Sequence, residues 1–184
     1  TRRFLTLWNV LGLFVTYANL DRPTLAHDAG APSAAGGLEA WILSRLQTTV
    51  REARGALDAY QLRRALSAIE DFVQEDLSNW YVRRRRRWFW KGEMSAQKAE
   101  AYRTLHHVLL RVSQLLAPVT PFVAEHMYHT LVGVEALAGD AVGMPSSVHL
   151  TRFPEVDPRL ERPDLDAAVA LVRRAATLGL AVRN

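Results

Sequence analysis

The sequence predicts an all-α fold, an antiparallel bundle of four or five helices, and three observations carry that prediction. Apolar residues recur at three-to-four spacing through most of the 184 residues. Gly92, Pro118 and Pro121 stand where those periodic stretches would stop or start. Only Val148 to Pro154 alternates as a strand would, and that segment is short and peripheral.

Each element follows in order. Phe4, Leu7, Trp8, Leu11, Phe14, Val15 and Ala18 form one wide apolar stripe, which predicts a helix over 3–19. Residues 29–37 are small and flexible, a loop. Leu43, Leu46, Val50, Ala53 and Leu57 predict a second helix over 38–59. A third carries Leu62, Leu66, Ile69, Val73 and Leu77, runs on to Trp90 and ends at Gly92. The fourth carries Tyr102, Leu105, Leu109, Val112 and Leu116 and stops at Pro118. Thr120 and Pro121 read as an N-cap and a first-turn proline, opening a fifth helix through Phe122, His126, Met127 and Thr130. A glycine-containing loop over 133–147, a strand near 148–152 and a last helix over 165–180 complete the chain. The expected division is a bundle over 1–132, loop and strand over 133–160, and a truncated C-terminal helix over 161–184. No internal repeat is visible.

Composition narrows the function classes. Hydrophobic residues make up 49% and charged residues 23%, enough apolar surface for a core and too little charge for a disordered chain. With no cysteine, a disulfide scaffold, a thiol nucleophile and a cysteine zinc site are excluded within this stretch. No apolar run approaches the roughly 18 residues of a membrane span, because Asn9, Gly12, Thr16 and Asn19 interrupt the stretch from Leu5 to Leu20. Nor does that stretch carry a signal-peptide cleavage site. The chain opens at Thr1 inside an amphipathic pattern and closes just after another, as a piece of a longer protein would.

Net charge is only +4, yet Arg83 to Arg87 are consecutive, with Trp80 and Tyr81 before them and Trp88, Phe89 and Trp90 after. Guanidinium groups donate paired hydrogen bonds to phosphate. Aromatic faces stack on exposed bases. The combination points to a single-stranded or loop RNA contact. On a helix turning roughly 100° per residue the five arginines circle the axis. Extending the stripe from Leu77 turns Trp80, Tyr81, Arg84 and Trp88 inward, and Arg83, Arg86, Arg87 and Trp90 outward or to the flanks. Arg84 then needs a partner, for which Glu75 and Asp76 are nearby. The candidate RNA contacts are Arg83, Arg86, Arg87 and Lys91 for phosphate and Trp88 or Trp90 for a base, with Trp80 and Tyr81 structural. Other groups carry less. His106 and His107 point in different directions on a helix and read as surface plus partial core, not as a site. His126 and His129 lack an obvious third metal ligand. Glu70, Asp71 and Asp76 suit capping and ion pairing better than catalysis. The expectation is no catalytic and no metal residue in this chain.

Asp76-Leu-Ser-Asn-Trp-Tyr-Val-Arg-Arg84, with its further arginines and aromatic pair, resembles the signature of the helical anticodon-binding domain of the isoleucyl-tRNA synthetases. The likeness extends along the chain in the family's order. It includes Leu7-Trp8-Asn9 with Phe14, Tyr17 and Ala18, Trp41 to Leu46, and Tyr102 with Thr104 and Leu105. Leu115 to Phe122 with Glu125 and Tyr128, then Val148 to Leu150 before Phe153-Pro154, complete it. Sister synthetases for valine, leucine and methionine share the bundle, but Ser78 to Arg84 points to isoleucine. Arg85 departs from the pattern, standing where the family commonly has a small or polar residue.

The resemblance implies a class I synthetase bundle that binds the anticodon arm of isoleucine transfer RNA. It also implies ATP-dependent aminoacylation, with ATP and magnesium as cofactors of the full-length enzyme and none in this fragment. The nucleotide-binding core, with its His-Ile-Gly-His-type element and Lys-Met-Ser-Lys-Ser-type loop, is missing here, as is editing. A cytoplasmic, monomeric enzyme, no membrane partner and an intramolecular contact with the catalytic domain are the accompanying expectations. A helical protein-interaction module using the Arg/Trp segment as its interface is the alternative reading. A purely structural connector is a third.

Overall fold

The computed structural model describes residues 2–25, 32, 36–90, 92–133 and 145–183. Helix α1 spans Arg2–Asp21, α2 Gly37–Asp58 and α3 Leu62–Asp71. The chain continues without a break as a π-helical segment, Phe72–Val82, and then as α4, Arg83–Trp90. Helix α5 spans Ala96–Leu116, α6 Pro121–Val132 and α7 Pro163–Arg183. The expected loops at 29–37 and 133–147 lie largely outside the described residues.

The bundle is antiparallel, and two hairpins build it. Helices α2 and α3 reverse at Ala59–Gln61, where the Gln61 N–H reaches Ala56 O at 2.7 Å. Helices α5 and α6 reverse around Pro118, with the Thr120 N–H on Leu116 O at 2.8 Å. Helix α1 lies against the π segment and α5. The core is one cluster of buried side chains drawn from several helices. Leu7, Leu11 and Phe14 meet Trp41, Leu46, Leu77, Tyr102, Leu105 and Met127, all buried. Burying such a side chain is worth roughly 1.5–3 kcal/mol, so this seam supplies most of the force that holds the helices together.

Several expectations change. Trp8 is half-exposed and stacks on His126 at 5.1 Å between ring centroids. His106 and His107 are both buried, and His106 Nε2 sits 3.1 Å from Leu131 O. Thr120 precedes α6 as expected, but its hydroxyl donates to Leu116 O at 3.4 Å instead of capping the helix. The strand near 148–152 is a 3-10 turn, Val148–Leu150. An alternating segment becomes a strand only beside a partner strand, and among the described residues there is none. No helix is long and apolar enough to cross a membrane among those residues.

Glu125 replaces the strand pairing as the anchor for this segment. Its carboxylate accepts from the Val148 N–H at 2.8 Å and the Ser147 hydroxyl at 3.0 Å, and His129 Nε2 is 3.0 Å away. Burial raises its pKa, but those two hydrogen bonds and the charges of His129 and His149 outweigh it and leave the pKa lowered. A lowered carboxyl pKa stabilises the folded state above the ordinary value near 4.5, and that contribution disappears as pH falls through the lowered one. Glu125→Ala should therefore cost about 1–3 kcal/mol near neutral pH by stranding the Val148 donor. The deficit should shrink in acid, as urea titrations of both proteins near pH 7 and below about pH 4 will read.

Candidate nucleic-acid interface

The arginine run inherits its orientation from the π segment. In a π-helix each N–H bonds five residues back, and here the Arg83 N–H reaches Ser78 O. The inward face repeats accordingly: Phe72, Leu77 and Val82 are buried at five-residue spacing, as are Asp76 and Tyr81. An α-helical stripe from Leu77 would continue to Arg84 and Trp88. The wider turn moves it on by one, so the inward positions are Val82, Arg85 and Phe89. Phe89 meets the Tyr102 ring edge-on at 5.0 Å.

Arg85, not Arg84, is thus the internal arginine. Its Nε and one terminal nitrogen donate to the two oxygens of Glu39 at 2.5 and 2.6 Å, and the Arg85 and Glu39 side chains are 16% and 6% exposed. Glu39 lies in the first turn of α2, where a negative charge also meets the positive end of the helix dipole. The same guanidinium covers one face of Trp88 at 3.8 Å. Trp88 is held half-buried against the core. Tyr81 is fully buried, its hydroxyl donating to Ala101 O at 3.5 Å, in the structural place expected of it.

Arg84 is exposed, contrary to the inward expectation, and Glu75 and Asp76 are engaged elsewhere. Asp76 accepts from Arg45 Nε at 2.9 Å and from Arg173 of α7. Arg173 also donates to Glu75 O at 3.2 Å. Arg84 instead lies 3.1 Å over the Trp80 ring and donates to Trp80 O at 3.3 Å. With Arg173 at 5.3 Å, two guanidinium groups stack on the one indole. Burial first, then the charges of Arg83 and Arg173, pull the Arg84 pKa below its ordinary value, although a guanidinium stays protonated at any working pH.

Beyond α4 the backbone turns sharply. Gly92 sits at φ 77°, in the left-handed region that suits glycine. Ser95 then caps α5, accepting from the Lys98 N–H at 3.1 Å. Lys98 is itself buried, its ammonium 2.7 Å from Asp21 and donating to Gly92 O at 3.2 Å. Burial raises the Asp21 pKa, but the Lys98 and Tyr102 hydrogen bonds and the Lys98 charge bring it below the ordinary value. Between α4 and this cap lies an open cleft of about 460 Å³, lined by Arg84, Arg87, Trp88, Glu93, Gln97 and their neighbours.

Of the residues expected at the interface, Arg87 and Trp88 meet in this cleft. Arg83 and Arg86 are exposed but do not line it, and Trp90 is 60% exposed beside it in sequence. Lys91 lies outside the described residues. Sequence reasoning missed Arg84, Glu93 and Gln97, and the α7 contact from Arg173. Only the five-residue apolar spacing from Phe72 to Val82 carried a readable signal, for Arg84. His129 is paired with Glu125, and no cluster of three metal-ligating side chains occurs among the described residues.

An all-α bundle that presents an arginine- and tryptophan-lined turn beside a helix N-terminus is of the anticodon-binding type. The model of the anticodon-binding domain of tRNA ligases matches residues 39–184, and the chain belongs to that family. It is 43% identical to an isoleucine–tRNA ligase of Thermus thermophilus over 98% of the chain and 17% of that relative. It is 49% identical to one of Deinococcus radiodurans over 97% of the chain and 15% of the relative. A third, of Dehalococcoides mccartyi, is 45% identical over 100% of the chain and 18% of the relative. The chain therefore spans less than a fifth of the length of the curated relatives it matches.

The Arg85–Glu39 pair separates structural from surface arginines experimentally. Arg85→Ala leaves a buried carboxylate unpaired and should lower stability by about 3–5 kcal/mol. Arg83→Ala, at an exposed position, should stay within about 0.5 kcal/mol of the parent. Guanidinium denaturation curves of the two variants make the comparison.

Proposed function

We propose that this chain is the tRNA anticodon-arm binding domain of an isoleucine–tRNA ligase. The observation that carries the proposal is the cleft where Arg84 and Arg87 flank Trp88, with Arg83 and Arg86 exposed on the same short helix. Arg83, Arg86, Arg87 and Lys91 contact backbone phosphates, which sets affinity and its salt dependence. Trp88, already covered on one face by Arg85, offers the other to an unpaired base, and Trp90 offers a second indole. The described chain contributes no step of the chemistry. By clamping the far arm it orients the transfer RNA so that the acceptor end reaches a catalytic domain elsewhere in the enzyme. There ATP and magnesium serve isoleucine activation. The bundle, the connecting segment after it and α7 act together, because Arg173 ties α7 to Asp76 and Trp80. The whole enzyme works as a cytoplasmic monomer, with the bundle packed against its catalytic body.

Binding of isoleucine transfer RNA across a salt series tests this. Changing Arg86 and Arg87 together to alanine should weaken binding and make the log–log salt slope shallower by roughly two. Circular dichroism should stay unchanged, since both side chains are exposed. An unaltered affinity and slope would remove the phosphate role. Competition with an unrelated transfer RNA shows whether more than charge is recognised.

A further inference from the structure

Exposed apolar residues are scattered singly on most surfaces, and only a contiguous patch points to a partner. Helices α1 and α6 carry one. Leu5, Trp8 and Gly12 stand at helical spacing along α1, and all three are exposed. Phe122, His126 and Thr130 do the same along α6, with Phe122 89% exposed. The Trp8 and His126 rings stack at 5.1 Å and 26°, which joins the two rows into one surface. None of the six carries a carboxylate or a guanidinium, so the surface is ill suited to a phosphate. Gly12 adds an independent observation. It lies in the interior of α1, where glycine is a poorer helix former than alanine. Its φ is not left-handed, and an added Cβ would meet no atom within 4 Å. The fold itself therefore gives no reason for glycine there. A second body seated close against this face does, because bare backbone lets it approach nearer than any side chain permits.

The surface lies away from the arginine cleft. Helix α5 begins beside the cleft at Ser95, and its 21 residues carry the chain roughly 30 Å to the turn that opens α6 at Pro121. The chain makes up less than a fifth of the ligases it matches, so most of such an enzyme lies outside it. We propose that the α1–α6 face is the seat of the catalytic body, which lays an apolar helix across Trp8, Gly12 and Phe122. The assignment rests on reading the chain as part of a ligase and adds which surface joins the two parts. Trp8 and Phe122 are the anchors, since buried aromatic rings carry much of the energy of an interface. Gly12 is where the two backbones come closest. RNA and catalytic body then sit at opposite ends of one bundle, and a transfer RNA held at α4 keeps a fixed distance to the active site.

Hydroxyl-radical footprinting read by mass spectrometry tests this, because exposed aromatic rings are labelled and covered ones are not. In the 184-residue chain Trp8, Phe122 and His126 should label freely. In the full-length ligase, without transfer RNA, their labelling should fall about tenfold as the interface excludes water. Equal labelling in the two proteins overturns the assignment. So does protection in the 184-residue chain that grows with its concentration, which would make a second copy the occupant. Gly12→Leu separates an interface from a structural role. In the 184-residue chain it should leave the melting temperature unchanged or raise it, since leucine favours the helix and open space surrounds the position. In the ligase it should lower kcat/KM for aminoacylation about tenfold or more, because a displaced body misplaces the transfer RNA. A lower melting temperature in the short chain, or full activity in the ligase, overturns the close approach at Gly12. Adding isoleucine transfer RNA to the ligase and reading Trp90 tests the RNA contact on its own, so the two readings fail separately.

Discussion

Between Phe72 and Val82 the backbone hydrogen-bonds five residues back, and the facing of every side chain on α4 depends on that wider turn. A run of identical residues has no pattern of its own. It can be oriented only by what precedes it. Here the preceding segment buries Phe72, Leu77 and Val82 in line and delivers Arg85 and Phe89 to the interior next. Had the segment stayed α-helical, Arg84 would face inward and Glu39 would lose its bidentate partner. π-Helical turns occur often at functional sites, and this one has a definite effect. It assigns one arginine to stability and frees its neighbours for a ligand.

The charges on this end of the bundle fall into two groups. Arg85 with Glu39, Lys98 with Asp21, and Arg45 and Arg173 with Asp76 and Glu75 are ion-paired groups whose fields largely cancel. Such pairs contribute little net stability compared with apolar packing, but breaking one is costly. They hold helices in register: α2 to α4, α1 to α5, and the π segment to both α2 and α7. Arg83, Arg84, Arg86 and Arg87 have no carboxylate partner among the described residues and project an uncancelled field. The basic surface is therefore smaller than the arginine run, and it is rigidly mounted.

Much of the fold was legible because apolar spacing, proline and glycine act locally. The helices α1, α2, α5, α6 and α7 lie where Leu11, Leu46, Leu105, Pro121 and Leu165 place them, with ends shifted by a few residues. The site was legible only in outline. Arg87 and Trp88 were identifiable from composition, but the exchange of Arg84 and Arg85 was not, because a fixed angle per residue was carried across a segment that does not obey it. Glu39 lies 46 residues from Arg85, and nothing at either position alone marks the pair. Val148 to Leu150 alternated convincingly, yet the residue that secures it, Glu125, lies in a helix.

The contact of Arg85 with Glu39 places a constraint on how this chain can have diverged. Neither residue is tolerable alone, since each would leave a charge without a partner in a largely dry place. The two positions should exchange together. Relatives with a small residue at the place of Arg85 are expected to lack an unpaired acid at the place of Glu39, whatever their overall identity. A distance of 46 residues along the chain thus becomes a correlated pair in evolutionary time, detectable in an alignment before any coordinate is known.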